Sequence, residues 1–282
     1  MTANLPTSVR MPNPPRTARG RLCFERAGSA TAIRAAYAES PLRLLTPRNH
    51  GAGAWAYTST LGGGLVDGDR VRLEVELGPG ALAFVSTQGP TRVYRSPGGC
   101  ESEVHARVGA GAALVLAPDP FSCFAGARYR QRTEIDLGAG ASVASCDVLT
   151  AGRSARGERW AFSRCLISLG VRRGGEALVE EALLLDPAHG ALAERLGRFD
   201  ALGTLLVAGP LFAGLRERIR QRIDGAPLAS AARLLAAASP VGGDALVARF
   251  AAESVEELLR SLREHLAELP AVLGDDPWAR KC

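Results

Sequence analysis

The sequence predicts a mainly β fold: a helical, layered β-sheet (solenoid-like) scaffold of strand-turn-strand units, with a smaller helix-rich C-terminal part. Three observations point there. A short phrase recurs as Leu77-Gly78-Pro79-Gly80-Ala81, Val108-Gly109-Ala110-Gly111-Ala112 and Leu137-Gly138-Ala139-Gly140-Ala141, at spacings of 31 and 29 residues. Each copy closes an alternating stretch, such as Val71, Leu73, Val75 and Leu77 against Arg72, Glu74 and Glu76, which sorts apolar and charged side chains onto opposite faces of a strand. A second apolar run follows each turn, through Leu82, Ala113 or Ser142, so that each unit resembles two strands joined by a glycine turn. One such unit leaves a face uncovered, and stacking units into layered sheets covers it. The competing reading is a set of unrelated hairpins with similar turns.

In chain order, residues 1–19 have Pro12, Pro14 and Pro15 among Arg10, Arg16 and Arg19 without an apolar stretch. They read as a disordered leader, not a signal peptide. A single domain over 20–282 is expected, with a β body over about 20–187 and a mixed helical tail over about 188–270. Gly62, Gly63 and Gly64, ahead of Asp67 and Asp69, open a strand and lack a following helix pattern. A tight turn whose aspartates satisfy backbone amides is favoured over a phosphate loop. A fourth, degenerate copy of the unit is expected through Ile167, Leu169 and Val171, the turn at Gly174 and Gly175, and Leu183. In the tail, Leu215, Ile219 and Ile223 predict an amphipathic helix, 228–238 reads as a second, alanine-rich segment, and 245–251 as a last strand. Ser254 and Glu257 make a capping box ahead of Leu258, Leu262 and Leu266.

Composition removes several functions. Of 34 basic residues 33 are Arg, and the one Lys, Lys281, is penultimate, so neither a phosphate-loop lysine nor a Schiff-base lysine is at hand. The six cysteines are never closer than 19 residues, which excludes zinc-knuckle spacing and, without a secretory signal, points to a reducing cytoplasmic setting. Four histidines, in no HxH or HExxH spacing, supply no preformed metal site. The longest uncharged stretch, 201–215, is interrupted by Gly203, Gly209, Pro210 and Gly214 and is shorter than a membrane span. Dispersed acids, among them Asp69, Glu74, Asp147, Glu180 and Glu181, read as a solvated face or as weak oxygen ligands. Alternation puts Arg128, Arg130 and Arg132 on one face with Tyr129 and Gln131 opposite. Such a row needs carboxylates, from neighbouring strands or from a partner.

Ordered motifs then carry a resemblance. Gly63-Gly64-Leu65-Val66-x-Gly68-Asp69, Thr87-Gln88-x-x-Thr91-Arg92-Val93-Tyr94-Arg95-Ser96, Phe124-x-Gly126-Ala127-Arg128-Tyr129-Arg130-Gln131, Gly152-Arg153-x-Ala155-Arg156-Gly157-Glu158 and Gly203-Thr204-Leu205-Leu206-x-x-Gly209-Pro210 follow one another over about 20–270. The set resembles the urease accessory protein family UreD, also called UreH. The resemblance implies a non-enzymatic urease maturation factor that binds apo-urease and UreF, through UreF the GTPase UreG, and assists nickel delivery to the urease active site. It implies no stably bound cofactor, nickel only in transit, no nucleic acid and no membrane. Under it, Asp69, Glu74, Asp147 and Glu181 become transient nickel contacts, and Gln88, Arg92, Arg95, Arg128, Tyr129 and Arg130 become structural or partner-docking candidates. The alternatives are a β-solenoid carbohydrate-active enzyme, for which aromatics are few, and an RNA-binding protein, for which the basic clusters are short. Cys100 and Cys123 flank the matched segments and read as small buried hydrophobes.

Overall fold

The computed structural model describes residues 17–48, 51–227, 229 and 231–279. The first 16 residues of the expected leader lie outside that range, whereas residues 17–19 already belong to a strand. The chain runs through β1 (Thr17–Ala27), β2 (Ala30–Ala38), β3 (Leu42–Leu45), β4 (Ala54–Thr60), β5 (Arg70–Leu77) and β6 (Leu82–Thr87). It continues with β7 (Thr91–Val93), β8 (Cys100–Val108), β9 (Ala113–Leu116), β10 (Phe121–Cys123), β11 (Arg128–Leu137) and β12 (Ser142–Thr150). The short pair β13 (Gly152–Arg153) and β14 (Glu158–Arg159) precedes β15 (Arg164–Arg173) and β16 (Glu176–Leu185). The last strands are β17 (Ala201–Ala208), β18 (Leu234–Val241) and β19 (Ala245–Ala252). The helices are α1 (Leu192–Leu196), α2 (Ala213–Asp224), α3 (Val255–His265) and α4 (Leu269–Leu273). The fold is mainly β, 51% strand against 16% helix, with mixed sheets.

Two large sheets result. One has seven strands in the order β16-β15-β11-β8-β5-β1-β2, the other ten, with β18-β19-β17-β12-β9-β6-β4-β3 as its path, β10 beside β12 and β7 beside β10. The repeated units straddle them. The first strands of the three units, β5, β8 and β11, are parallel neighbours in the seven-stranded sheet, and the second strands, β6, β9 and β12, are parallel neighbours in the ten-stranded one. The two strands of a unit therefore pair with their equivalents in the next unit and not with each other, which removes the competing reading of unrelated hairpins.

The glycines explain the turn. The N–H of Gly109 donates to the Leu77 carbonyl and that of Gly138 to the Val108 carbonyl, each at 2.8 Å, so the ladder continues around the corner. A Cβ at Gly109 would lie 2.6 Å from the Leu77 oxygen, so the first glycine permits close stacking of turns. The second sits in the left-handed region, as at Gly111 (φ +63°). The expected fourth copy departs from this pattern. Gly174 and Gly175 both take positive φ, the conformation of a two-residue hairpin turn, and β15 and β16 pair antiparallel within one sheet.

Between the sheets lies a core of residues such as Val75, Val85, Leu114, Ile135 and Val143. The other face of the ten-stranded sheet is covered by helices: Leu215, Ile219 and Ile223 of α2 and Leu258 and Leu262 of α3 pack with Leu205, Val207 and Leu246. Ser254 caps α3, its Oγ accepting from the Glu257 N–H at 3.2 Å. Of the alanine-rich segment 228–238, positions 228 and 230 lie outside the described residues, and 234–238 are strand, not helix: β18 starts at Leu234 as an edge strand on β19. In residues 201–215 Leu205 to Ala208, Phe212 and Leu215 are core while Leu211 is exposed, and among the described residues no helix is long and apolar enough to cross a membrane.

On the outer face of the seven-stranded sheet the arginine row is answered from within only in part, Arg132 lying 2.8 Å from Glu134. Glu101 stands in register between Arg70 and Arg130, and Glu103 between Arg72 and Arg132. Cross-strand opposite charges of this kind contribute about 0.2–1 kcal/mol per pair.

Candidate functional site

Strand alternation turns a few polar residues inward, and those residues mark the site. On β11, Tyr129 and Gln131 face the ten-stranded sheet while Arg128 and Arg130 face solvent. On β12, Asp147 faces back toward them. The Gln131 Nε2 donates to Asp147 Oδ1 at 2.7 Å, and the Tyr129 hydroxyl donates to Gln131 Oε1 at 3.2 Å, a polar chain linking the two sheets. Burial raises the Asp147 carboxyl to about 6, and the Gln131 hydrogen bond opposes that rise. Burial also pushes the Tyr129 hydroxyl well above its ordinary range. Among the described residues no cation pairs with Asp147.

Two cavities meet at this carboxylate. The larger, about 870 Å³, opens between β16 and the β17-β19-β18 part of the ten-stranded sheet, and Asp147, Thr204, Glu181 and Arg249 are its polar lining together with Glu180 and Arg195. The smaller, about 110 Å³, reaches the other way between the sheets and is lined by Thr58, Ser86, Thr87, Thr91, Asp119, Gln131 and Asp147 among others. Glu181 holds Arg249 through two contacts of 2.7 and 2.5 Å, a forked pair joining the sheets beside the larger cavity.

The four transit candidates thus separate. Asp147 and Glu181 share the larger cavity. Asp69 lines neither; its Oδ2 accepts from the Val66 N–H at 2.8 Å, and the neighbouring Asp67 accepts from the Gly98 N–H at 2.7 Å. That is the turn expected for the glycine run, and it lets Leu65 pair with Arg92 and Tyr94. Glu74 lies on the outer face, 3.7 Å from Arg72, with the sheet between it and the cavities.

The docking candidates separate in the same way. Gln88, Arg92, Arg95, Arg128 and Arg130 are exposed, whereas Tyr129 is buried against Phe121 and belongs to the interior. The neighbouring Cys165 thiol, together with burial, raises the Cys123 thiol well above the ordinary thiol range. A thiol so disposed stays protonated and packs as an apolar group, which makes it a poor metal ligand. No group of three or more His, Cys, Asp or Glu able to hold a metal occurs among the described residues.

Sequence reasoning missed Gln131, Thr204 and Arg249 as site residues. A polar residue at an inward strand position is the signal that marks Gln131 and Thr204.

Comparison with known proteins adds the biological frame. The family model for the UreD urease accessory protein matches residues 16–281. The chain belongs to the UreD family. Urease accessory protein UreD of Sorangium cellulosum (strain So ce56) is 48% identical over 262 residues, 93% of this chain and 83% of that protein. Its counterpart in Anaeromyxobacter sp. (strain Fw109-5) is 44% identical, over 94% of this chain and 90% of that protein. Urease accessory protein D of Arabidopsis thaliana is 29% identical, over 93% of this chain and the whole of that protein. In this UreD-family chain, the matched motif residues Thr87, Thr91 and Gln131 line the smaller cavity.

Proposed function

We propose that this protein is a urease maturation factor: a non-enzymatic scaffold in the cytoplasm that binds apo-urease and the UreF–UreG complex, and through which nickel passes toward the urease active site. Family membership supports the maturation role. The observation that carries the nickel step is Asp147, a carboxylate on the wall of both cavities with one neutral hydrogen-bond donor. A half-buried acid held so weakly disfavours folding and gains a use when a cation arrives. With its pKa near 6 it is mostly ionised at neutral pH, ready to attract a divalent ion in a medium of lower dielectric than water. Oxygen donors hold nickel less firmly than a set of thiolates or imidazoles, so an ion touching Asp147 can leave again. Glu181 offers a second oxygen contact farther along the larger cavity, in competition with Arg249.

The experiment is coexpression of urease, its other maturation proteins and this chain as Asp147→Asn, with urease nickel content and copurification read together. The expected result is at least tenfold less nickel in urease with the complex still assembling. Full nickel loading by the variant removes the conduit; failure of the wild-type chain to copurify with UreF or apo-urease removes the scaffold role.

A further inference from the structure

On the outer face of the seven-stranded sheet Arg21, Arg70, Arg72, Arg107 and Arg132 each have a carboxylate within 4 Å, whereas Arg19, Arg128 and Arg130 have none among the described residues. Arg70 has Glu101 at 3.7 Å and Arg132 has Glu134 at 2.8 Å. Arg128 stands directly opposite Arg164 on the adjoining strand, a like-charge pair that a sheet disfavours. Arg130 shares its register partner Glu101 with Arg70, and neither Arg128 nor Arg130 has an ion pair among the described residues. Arg164 reaches Asp186 only at 3.9 Å. These three arginines rim one shallow depression of about 280 Å³. Arg95 borders it: the next residue, Ser96, hydrogen-bonds through its hydroxyl to both the N–H and the carbonyl of Arg128. All four side chains are exposed.

From this we infer a docking surface for a carboxylate-rich segment of a partner protein, seated on Arg95, Arg128, Arg130 and Arg164. The inference deepens the maturation reading and rests on it for the idea of a protein partner. Charge complementarity selects the occupant. Guanidinium forks match carboxylates in pairs, and a partner's acids at strand spacing supply the rung that the sheet lacks. A nucleic-acid strand fits less well. The aromatic ring beneath, Tyr129, is buried and offers no stacking platform, and four cations are few for a phosphate track.

The test is fluorescence anisotropy of the full chain with a labelled eight-residue oligoglutamate peptide and with a labelled eight-nucleotide oligouridine RNA. The wild type is expected to bind the peptide more tightly than the RNA. Arg128→Glu/Arg130→Glu should weaken peptide binding at least tenfold, while Arg26→Glu/Arg34→Glu, an equal charge change at the β1–β2 end of the sheet, weakens it less than threefold. Arg128→Gln/Arg130→Gln, checked by circular dichroism, keeps the test readable if the double reversal fails to fold, and should lose at least threefold. Equal losses at the two places, no peptide binding by the wild type, or tighter binding of the RNA overturns the inference. The assay needs neither urease nor nickel, so its failure is separable from failure of the maturation reading.

Discussion

The Gln131 side-chain amide donates to the Asp147 carboxylate at 2.7 Å across the space between the two sheets, and no cation shares that carboxylate among the described residues. The bond holds Asp147 in place without neutralising it. Burial raises the acid from 3.8 to about 6, against the lowering effect of the Gln131 hydrogen bond.

A raised acid makes stability depend on pH in a definite direction. The folded chain binds the Asp147 proton more tightly than the unfolded chain does, so this contribution is fully present below pH 3.8 and is lost as pH rises through about 6. At about 1.4 kcal/mol per pH unit, the ionised group at pH 7.5 costs roughly 2–3 kcal/mol. Asp147→Asn is expected to raise the urea midpoint at pH 7.5 by a matching amount, and the gain should shrink as pH falls toward 4. A variant no more stable than the wild type at pH 7.5 would show that the carboxylate is better solvated than its surroundings imply.

The turns make a second prediction. At Gly109 a methyl group would meet the Leu77 carbonyl oxygen at 2.6 Å, a backbone atom that moves only if two stacked turns separate. Gly109→Ala should therefore cost about 1–3 kcal/mol, in the range of overpacked sites. At Gly174 nothing lies within 4 Å, and only φ of +59° resists a side chain. Gly174→Asn, a residue that tolerates that region, should cost less than 1 kcal/mol. Denaturant midpoints of the two variants decide it; equal effects would deny the different roles of the glycines.

Much of this was legible in the sequence, for reasons that also set its limit. Alternation fixes which face of a strand is buried, so the outward arginines and inward Tyr129 and Gln131 follow from residues 128–132 alone. It carries no information on which strand lies alongside, and a Gly-x-Gly turn between sheets looks like a hairpin turn. Alanine misled at 234–238, because its helix propensity is high while β19 supplies the pairing that makes the segment an edge strand. Asp147 was recognisable as a candidate acid. Its partner Gln131 lies 16 residues earlier on the other sheet, a relation only the fold creates. Asp69 had the same chemistry on paper, but the turn at Val66 uses its carboxylate.

The cysteines are expected to be silent. Cys100, Cys123, Cys146 and Cys165 are buried, and Cys23 is the half-buried exception among the described cysteines. Burial raises the Cys100 thiol, and the Cys123 thiol is raised further by its Cys165 neighbour. Brief alkylation of the native protein followed by peptide mass spectrometry should find those four unmodified and Cys23 partly modified. Rapid modification of Cys123 or Cys165 would mean that the end of the sandwich opens.

The last prediction concerns His265, which opposes Asp147. Its ring lies against Phe250 at 5.6 Å between centroids, and its Nδ1 is buried without a hydrogen-bond partner. Burial, with the nearby Arg222 guanidinium adding to it, lowers the imidazole below 6.5. Here the unfolded chain binds the proton more tightly, so the stability that the neutral ring contributes is present above pH 6.5 and is lost as pH falls through its lowered folded value. Acidification from pH 7.5 to 5.5 thus destabilises through His265 while it stabilises through Asp147. His265→Gln should make the acid side of the stability profile rise more steeply toward low pH, and Asp147→Asn should make it fall. Urea midpoints across that window for the two single variants and the double variant separate the contributions. The two sites lie in different layers, Asp147 between the sheets and His265 under the helices, so their effects should add.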